Sequence, residues 1–396
     1  VVFGMLIPGF IQRFHVLPNE FALEEPFIKN NIQFTREAFG LNQIDEQTFP
    51  GDKVTSEDIM CNPDTIRNVR LWDVKPLKDT LNQIQFLRLY YEFQDVDVDR
   101  YLIGKDYRQV MLGARELDIA KLDPQAQTWV NQRLQYTHGY GVTMSPVTEF
   151  TPDGRPNFIV KDIPPAGSLP IKRSEIYFGE KTENWVIVNS NTAEFDYPTK
   201  EDVPVYTRYA GKGGVGIGSY IRRLAYAWRF GDINILISGE LTPESRIVYY
   251  RNIQERVSQI APFLKLDYDP YIVVGDERLW WIQDAYTVTD RYPYSEPLAL
   301  GGINYIRNSV KVVVNAYDGF VTFYVADPND AIIKTYGKMF PDLFQPMEKM
   351  PDYLEAHIRY PEDLFRIQSR VYLRYHMKDA RVFYNKEDLW SVPQEI

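Results

Sequence analysis

Two β-rich runs, residues 310–317 and 320–325, are separated only by Asp318-Gly319, and this pair constrains the fold more than any other stretch. An Asp-Gly link accepts the positive φ values that match the twist of antiparallel strands, so the runs predict a hairpin. Residues 271–274 and 279–282 across Gly275-Asp276-Glu277-Arg278 predict a second, and 176–178 with 185–188 a third. A long fourth runs from 86 to 103, turns at Gly104-Lys105-Asp106 and returns over 107–112.

Between the hairpins, apolar residues recur at helical spacing. Pro26 opens a segment with Phe27, Ile28, Ile32 and Phe39 on one side and Gly40 as its stop. Asp123-Pro124 starts another, carrying Ala126, Trp129, Val130 and Leu134. Ser219 caps a third, in which Ile221, Leu224, Ala225 and Trp228 are expected inside and Gly231 ends the run. Thr242-Pro243-Glu244 begins a fourth with Tyr250, Ile253, Val257 and Ile260, and Pro361 begins a last one presenting Leu364, Gln368, Val371 and Tyr375.

Helices and strands come in groups, without a regular strand-helix alternation, which predicts an α+β fold of mainly antiparallel sheets with packed helices. The proline-rich stretch 162–170 predicts a boundary between a first lobe, 15–165, and a second, 166–396. With 396 residues, 44% of them hydrophobic, the chain is long enough for two such lobes.

The net charge of −10 opposes binding to nucleic acid and to anionic lipid surfaces. Cys61 is the single cysteine, which excludes an internal disulfide and a thiolate metal cluster. Residues 1–11 are apolar but only half the ~20 residues of a spanning helix, and they read as the end of a membrane segment over 1–14. The competing expectation is a buried N-terminal strand. Arg13 is outnumbered by Glu20, Glu24 and Glu25, a flank that favours the outer side of the membrane.

Four groups of residues invite a chemical reading. Gly211-Lys212-Gly213-Gly214-Val215-Gly216-Ile217-Gly218-Ser219 imitates a deviant phosphate loop, yet Ile217 stands where the second lysine is needed and Gly218 where a hydroxyl should hold magnesium. A glycine turn in close contact with another backbone is therefore expected there, and no nucleotide. Asp95, Asp97 and Asp99 alternate along a strand, which puts three carboxylates on one face, with Val96 and Val98 turned to the core; such a face is a candidate for a divalent cation such as calcium. His138 and Tyr140 lie among Gly139 and Gly141, where a ligand or another chain can approach the imidazole. Trp280, Trp281 and Tyr292 interleave with Asp284 and Asp290, a mixture suited to stacking on a sugar, against which stands simple core packing.

Six strings carry a resemblance: 35–41 (Thr-Arg-Glu-Ala-Phe-Gly-Leu), 136–142 (Tyr-Thr-His-Gly-Tyr-Gly-Val), the glycine loop 211–219, 229–236 (Arg-Phe-Gly-Asp-Ile-Asn-Ile-Leu), 290–297 (Asp-Arg-Tyr-Pro-Tyr-Ser-Glu-Pro) and 359–365 (Arg-Tyr-Pro-Glu-Asp-Leu-Phe). In this order, over nearly the whole chain, the sequence resembles uncharacterised protein family 0182. The resemblance implies a large bacterial membrane protein with several N-terminal spanning helices, an extracytoplasmic location for this part at the cell membrane, and a further segment beyond the position of Ile396. It implies no activity, cofactor or catalytic residue. Two functions are therefore expected in competition. One is a non-catalytic module that binds an envelope protein, a glycan or a copy of itself, with the membrane reached through other segments; the other is a carboxylate- or metal-dependent envelope hydrolase.

Overall fold

The computed structural model describes residues 2–48, 51, 53–84, 90–199, 201, 203–298 and 302–393, leaving aside the side chains of residues 2–6. It has an α+β architecture in which every ladder between strands is antiparallel except that of Val321–Val325 with Phe344–Pro346.

The chain opens with helix α1, Val2–Ile11, and after two short irregular turns continues into α2, Glu20–Ala38. Ile7, Phe10, Ile11, Phe14 and Leu17 are exposed, so the expectation of a buried N-terminal strand is wrong for these residues. Among the described residues no helix is long and apolar enough to cross a membrane. Pro26 lies within α2 instead of opening it, whereas Gly40 stops it as expected, with a left-handed φ of 69°.

A first sheet is built on β1 (Tyr91–Phe93), β2 (Asp97–Ile103), β3 (Asp106–Leu117) and β4 (Val142–Pro146). A second is built on β5 (Tyr271–Gly275), β6 (Arg278–Thr289), β7 (Tyr305–Asn315) and β8 (Val321–Val325). Side chains alternate across a strand, and here the alternation sorts them between two cores. Ile272, Val274, Leu279, Trp281, Val310, Val312 and Val314 share one cluster with Val110, Leu112, Val142 and Met144 of the first sheet. Their neighbours Tyr271, Val273, Trp280, Ile282 and Val313 turn to the opposite face, against Met350 and Leu354. The Trp281 indole, fully buried, donates to the Phe178 carbonyl at 2.9 Å.

The hairpins differ from expectation in informative ways. Asp276 and Glu277 both adopt positive φ, so the tight two-residue turn joins β5 and β6. At Asp318-Gly319 the last ladder pair is Val314 with Val321, because the Asn315 side chain accepts from the amides of Tyr317 and Asp318 and widens the loop. Residues 176–178 and 185–188 do not pair with each other: Glu175–Ile176 joins Gly139–Tyr140, and Val186–Val188 joins Arg246–Val248. The β2–β3 hairpin turns at Gly104-Lys105, and residues 86–89 of its expected first strand lie outside the described residues.

Two expected helices are shorter. After Asp123-Pro124 there are only short 3-10 and π turns, and the run expected to start at Thr242 is interrupted by the strand Arg246–Val248 before a helix, Ile253–Ile260, capped by Asn252. The proline-rich stretch is not a loose linker, since Val160–Lys161 and Ala166–Gly167 pair as strands and Val160 and Ile163 are buried.

Trp281→Ala is expected to cost about 3–5 kcal/mol in urea unfolding, by leaving a cavity between the sheets. Trp280→Ala, at a half-buried position on the other face, is expected to cost less than half as much; equal losses would contradict the sorting of faces.

Candidate functional site

Most of the residues singled out from sequence are consumed by the fold. His138 is sealed: its Nε2 lies 3.3 Å from Asp196 Oδ1, its Nδ1 2.9 Å from Thr137 Oγ1, and its ring 4.7 Å from that of Tyr177. Behind it, buried Glu194 accepts from Thr137 (2.6 Å), Tyr177 (2.7 Å) and the Tyr209 amide (3.0 Å). Glycine at 139 admits another stretch of backbone and not a ligand, because a Cβ there would stand 2.5 Å from the Arg115 carbonyl. Tyr140 is buried against Tyr197. The aromatic stretch divides in the same way, with Trp281 in the core, Trp280 bonded to the Gly275 carbonyl, and Tyr292 stacked on Tyr305 at 5.2 Å. These side chains form no shared sugar-stacking face.

The glycine loop already holds an anion of the protein's own. The Lys212 amide donates to Asp318 Oδ1 at 2.8 Å, and the Gly213 amide to the Tyr209 hydroxyl at 2.8 Å. From the other side Arg246 donates to the carbonyls of Lys212, Gly213 and Gly214. The loop is thus a clamped turn between Asp318 and Arg246.

The three aspartates are split by their strand. Asp97 and Asp99 are buried, because β2 packs against β5 and the segment around residue 357. Asp97 accepts from the Ile272 amide at 3.0 Å and lies 3.3 Å from Arg359, which also bonds Asp269 at 2.7 Å. Asp99 lies 2.8 Å from His357 Nδ1, close enough for an ion pair but poorly aligned for a hydrogen bond. Asp95 instead lines a polar cleft of about 270 Å³ with Glu180, Asp269 and Lys78. Among the described residues no three His, Cys, Asp or Glu side chains are placed to hold a metal ion, this group included.

Burial raises the carboxyls around this cleft. Asp269 is pushed up to about 7, against the opposing charge of Arg359, and Asp97 and Glu180 are raised by burial and by one another's neighbours. One guanidinium therefore lies between two carboxyl groups, that of buried Asp97 and that of partly buried Asp269.

Two surface features were not anticipated. The first is a groove of about 840 Å³ between the end of α2 and helix α3, Glu362–Tyr375, lined by Gln43, Ile44, Tyr360, Phe365 and Gln368. The second is the helix Tyr220–Phe230, which the sequence places with Ile221, Leu224 and Trp228 inward. The structure shows the reverse: Ile221 is 79% exposed, Trp228 88% and Leu224 52%. The opposite side, with Ala227 buried and Tyr226 and Phe230 partly so, packs on Ile235, Leu241 and Ile247, while Arg223 is bound to the carbonyls of Ile217, Leu241 and Thr242. Both sides of the helix are apolar, and Arg223, which lies between the inward residues, made the true inner side look the more polar; the carbonyls that satisfy it come from remote segments. Ile233 and Ile237 of the adjoining short helix Asn234–Ile237 are also exposed.

The profile of uncharacterised protein family UPF0182 matches residues 1–396. The chain is 52% identical over its full length to a UPF0182 protein of Pelotomaculum thermopropionicum, covering 43% of that protein. It is 55% identical to one of Sulfurovum over 99% of the chain, and 52% identical to one of Cupriavidus necator over all of it. The chain thus spans less than half the length of these relatives. No solved structure matches it.

Because Asp97 and Asp269 hold protons more tightly folded than unfolded, the folded state carries more protons above the ordinary carboxyl range, for Asp269 up to about pH 7. Stability from these groups falls as pH rises through that window. Arg359→Gln removes their counter-charge and is expected to cost about 3–5 kcal/mol at alkaline pH, and less below about pH 5, where Asp269 is neutral. Urea unfolding across pH checks this; a loss independent of pH would contradict it.

Proposed function

The chain belongs to uncharacterised protein family UPF0182, and from that premise we propose that it is an extracytoplasmic, non-catalytic docking module of the cell envelope. The observation that carries this reading is the outward apolar surface of Tyr220, Ile221, Leu224 and Trp228, extended by Ile233 and Ile237. Contiguous apolar patches of this kind on a folded surface mark contact sites. The exposed apolar side of α1 supports a location at the membrane. Sealing of His138, Asp97 and Asp99 within the fold supports a binding role over a catalytic one.

A second reading, an envelope hydrolase, draws on the cleft of Asp95, Glu180 and Asp269, since a carboxyl titrating near neutrality suits general-acid chemistry. It requires that the purified chain release products from cell-wall glycan and that Glu180→Gln abolish the release.

For the docking reading, Leu224→Glu with Trp228→Glu is expected to leave stability within about 0.5 kcal/mol of the parent, both positions being on the surface. Sedimentation with isolated bacterial envelopes is expected to fall at least tenfold for this double variant. Tyr268→Glu, also at a highly exposed position, serves as the control and is expected to sediment unchanged. Envelope binding by the double variant equal to that of the control would contradict the proposal.

A further inference from the structure

We infer that the surface met by the Tyr220–Phe230 helix is a bilayer containing anionic phospholipid. The inference rests on the docking reading and names its partner.

At about 100° per residue, Tyr220, Leu224, Trp228, Ile221 and Ala225 occupy one continuous arc of about 140°. All five are exposed. Arg229 and Arg222 follow directly on the flank of that arc, and the segment from Gly218 to Gly231 contains three arginines and no Asp or Glu. Their contacts leave the charge in place. Arg222 donates to the Gly216 carbonyl at 3.1 Å and Arg229 to the Tyr250 hydroxyl at 2.6 Å, while Arg223 is held by carbonyls. Among the described residues none of the three pairs with a carboxylate. The nearest acid in sequence, Asp232, accepts from the Trp129 indole at 2.8 Å.

A helix about 16 Å long with an apolar face, a Trp and a Tyr on that face, and cations at its edge is the arrangement that settles at a lipid interface. Indole and phenol rings sit at headgroup level, the aliphatic side chains reach the acyl boundary, and the guanidinium groups meet phosphate. The net charge of −10 is a sum over the whole chain and does not describe this local surface.

A second copy of the chain fits less well. In a two-fold contact the same patch meets itself, and neither copy supplies an Asp or Glu within residues 218–231 to pair with the arginines of the other. Desolvating that arrangement is unfavourable, whereas anionic headgroups neutralise it.

The test is co-sedimentation of the purified chain with vesicles of phosphatidylcholine alone and with one-third phosphatidylglycerol. The parent is expected to pellet with the anionic vesicles, and Leu224→Glu with Trp228→Glu to lower that affinity at least tenfold while circular dichroism and melting stay unchanged. Arg222→Gln is expected to weaken binding to anionic vesicles about fivefold and to leave neutral vesicles unaffected. Failure of the parent to pellet, or equal pelleting by the double variant, which would assign the contact to α1, overturns the inference. If the parent is instead a dimer by light scattering that the double variant separates, the lipid partner is wrong and the docking reading stands. If the substitutions change neither vesicle binding nor self-association nor envelope binding, both fail.

Discussion

Packing of the two sheets through a common apolar layer decides which groups of this protein remain available for function. Trp281, Val312 and Ile272 on one side and Leu112, Val142 and Met144 on the other exclude water from the space between them. Polar groups that approach this layer must then find partners inside the protein. Asp97 takes the Ile272 amide and Arg359, the Tyr101 hydroxyl takes the Val274 amide, and Glu194 gathers Thr137, Tyr177 and Tyr209. Residues that look reactive in one dimension become the polar joints of the core. Arg359 is the most heavily used of them, since one cation sits between carboxylates from β2 and from the segment that leads into β5.

The same constraint explains what could be read in the sequence. Strand periodicity and turn chemistry located β5, β6, β7 and β8, and the fold class followed from their grouping. Both local signals survive because they depend on residues adjacent in the chain. Pairing partners did not follow where the partner is remote: Val186–Val188 sits beside Arg246–Val248, some sixty residues away, which no turn signal announces. The close backbone contact of the glycine loop was legible in its composition, but the carboxylate that the loop holds, Asp318, is about a hundred residues distant.

For the site the legible part was smaller. Spacing put Asp95, Asp97 and Asp99 on one strand face, but it was silent on the segment around His357 and Arg359 that covers two of them. Likewise the Tyr220–Phe230 helix is apolar on both sides, and a pattern search assigns the broader side to the core. The structure gives the core the side that carries Tyr226, Ala227 and Phe230. An inverted helix of this kind leaves a large apolar surface in water, which is unfavourable in isolation and is offset when a partner covers it. That is the physical content of reading this chain as a docking module rather than a self-contained enzyme.

Hydroxyl-radical footprinting of Trp228 tests the central claim most directly, by comparing the isolated chain in solution with the protein in its native envelope. The account predicts strong labelling of Trp228 in the isolated chain and marked protection in the envelope, with Tyr268 labelled alike in both. Equal labelling of Trp228 in the two preparations would contradict it.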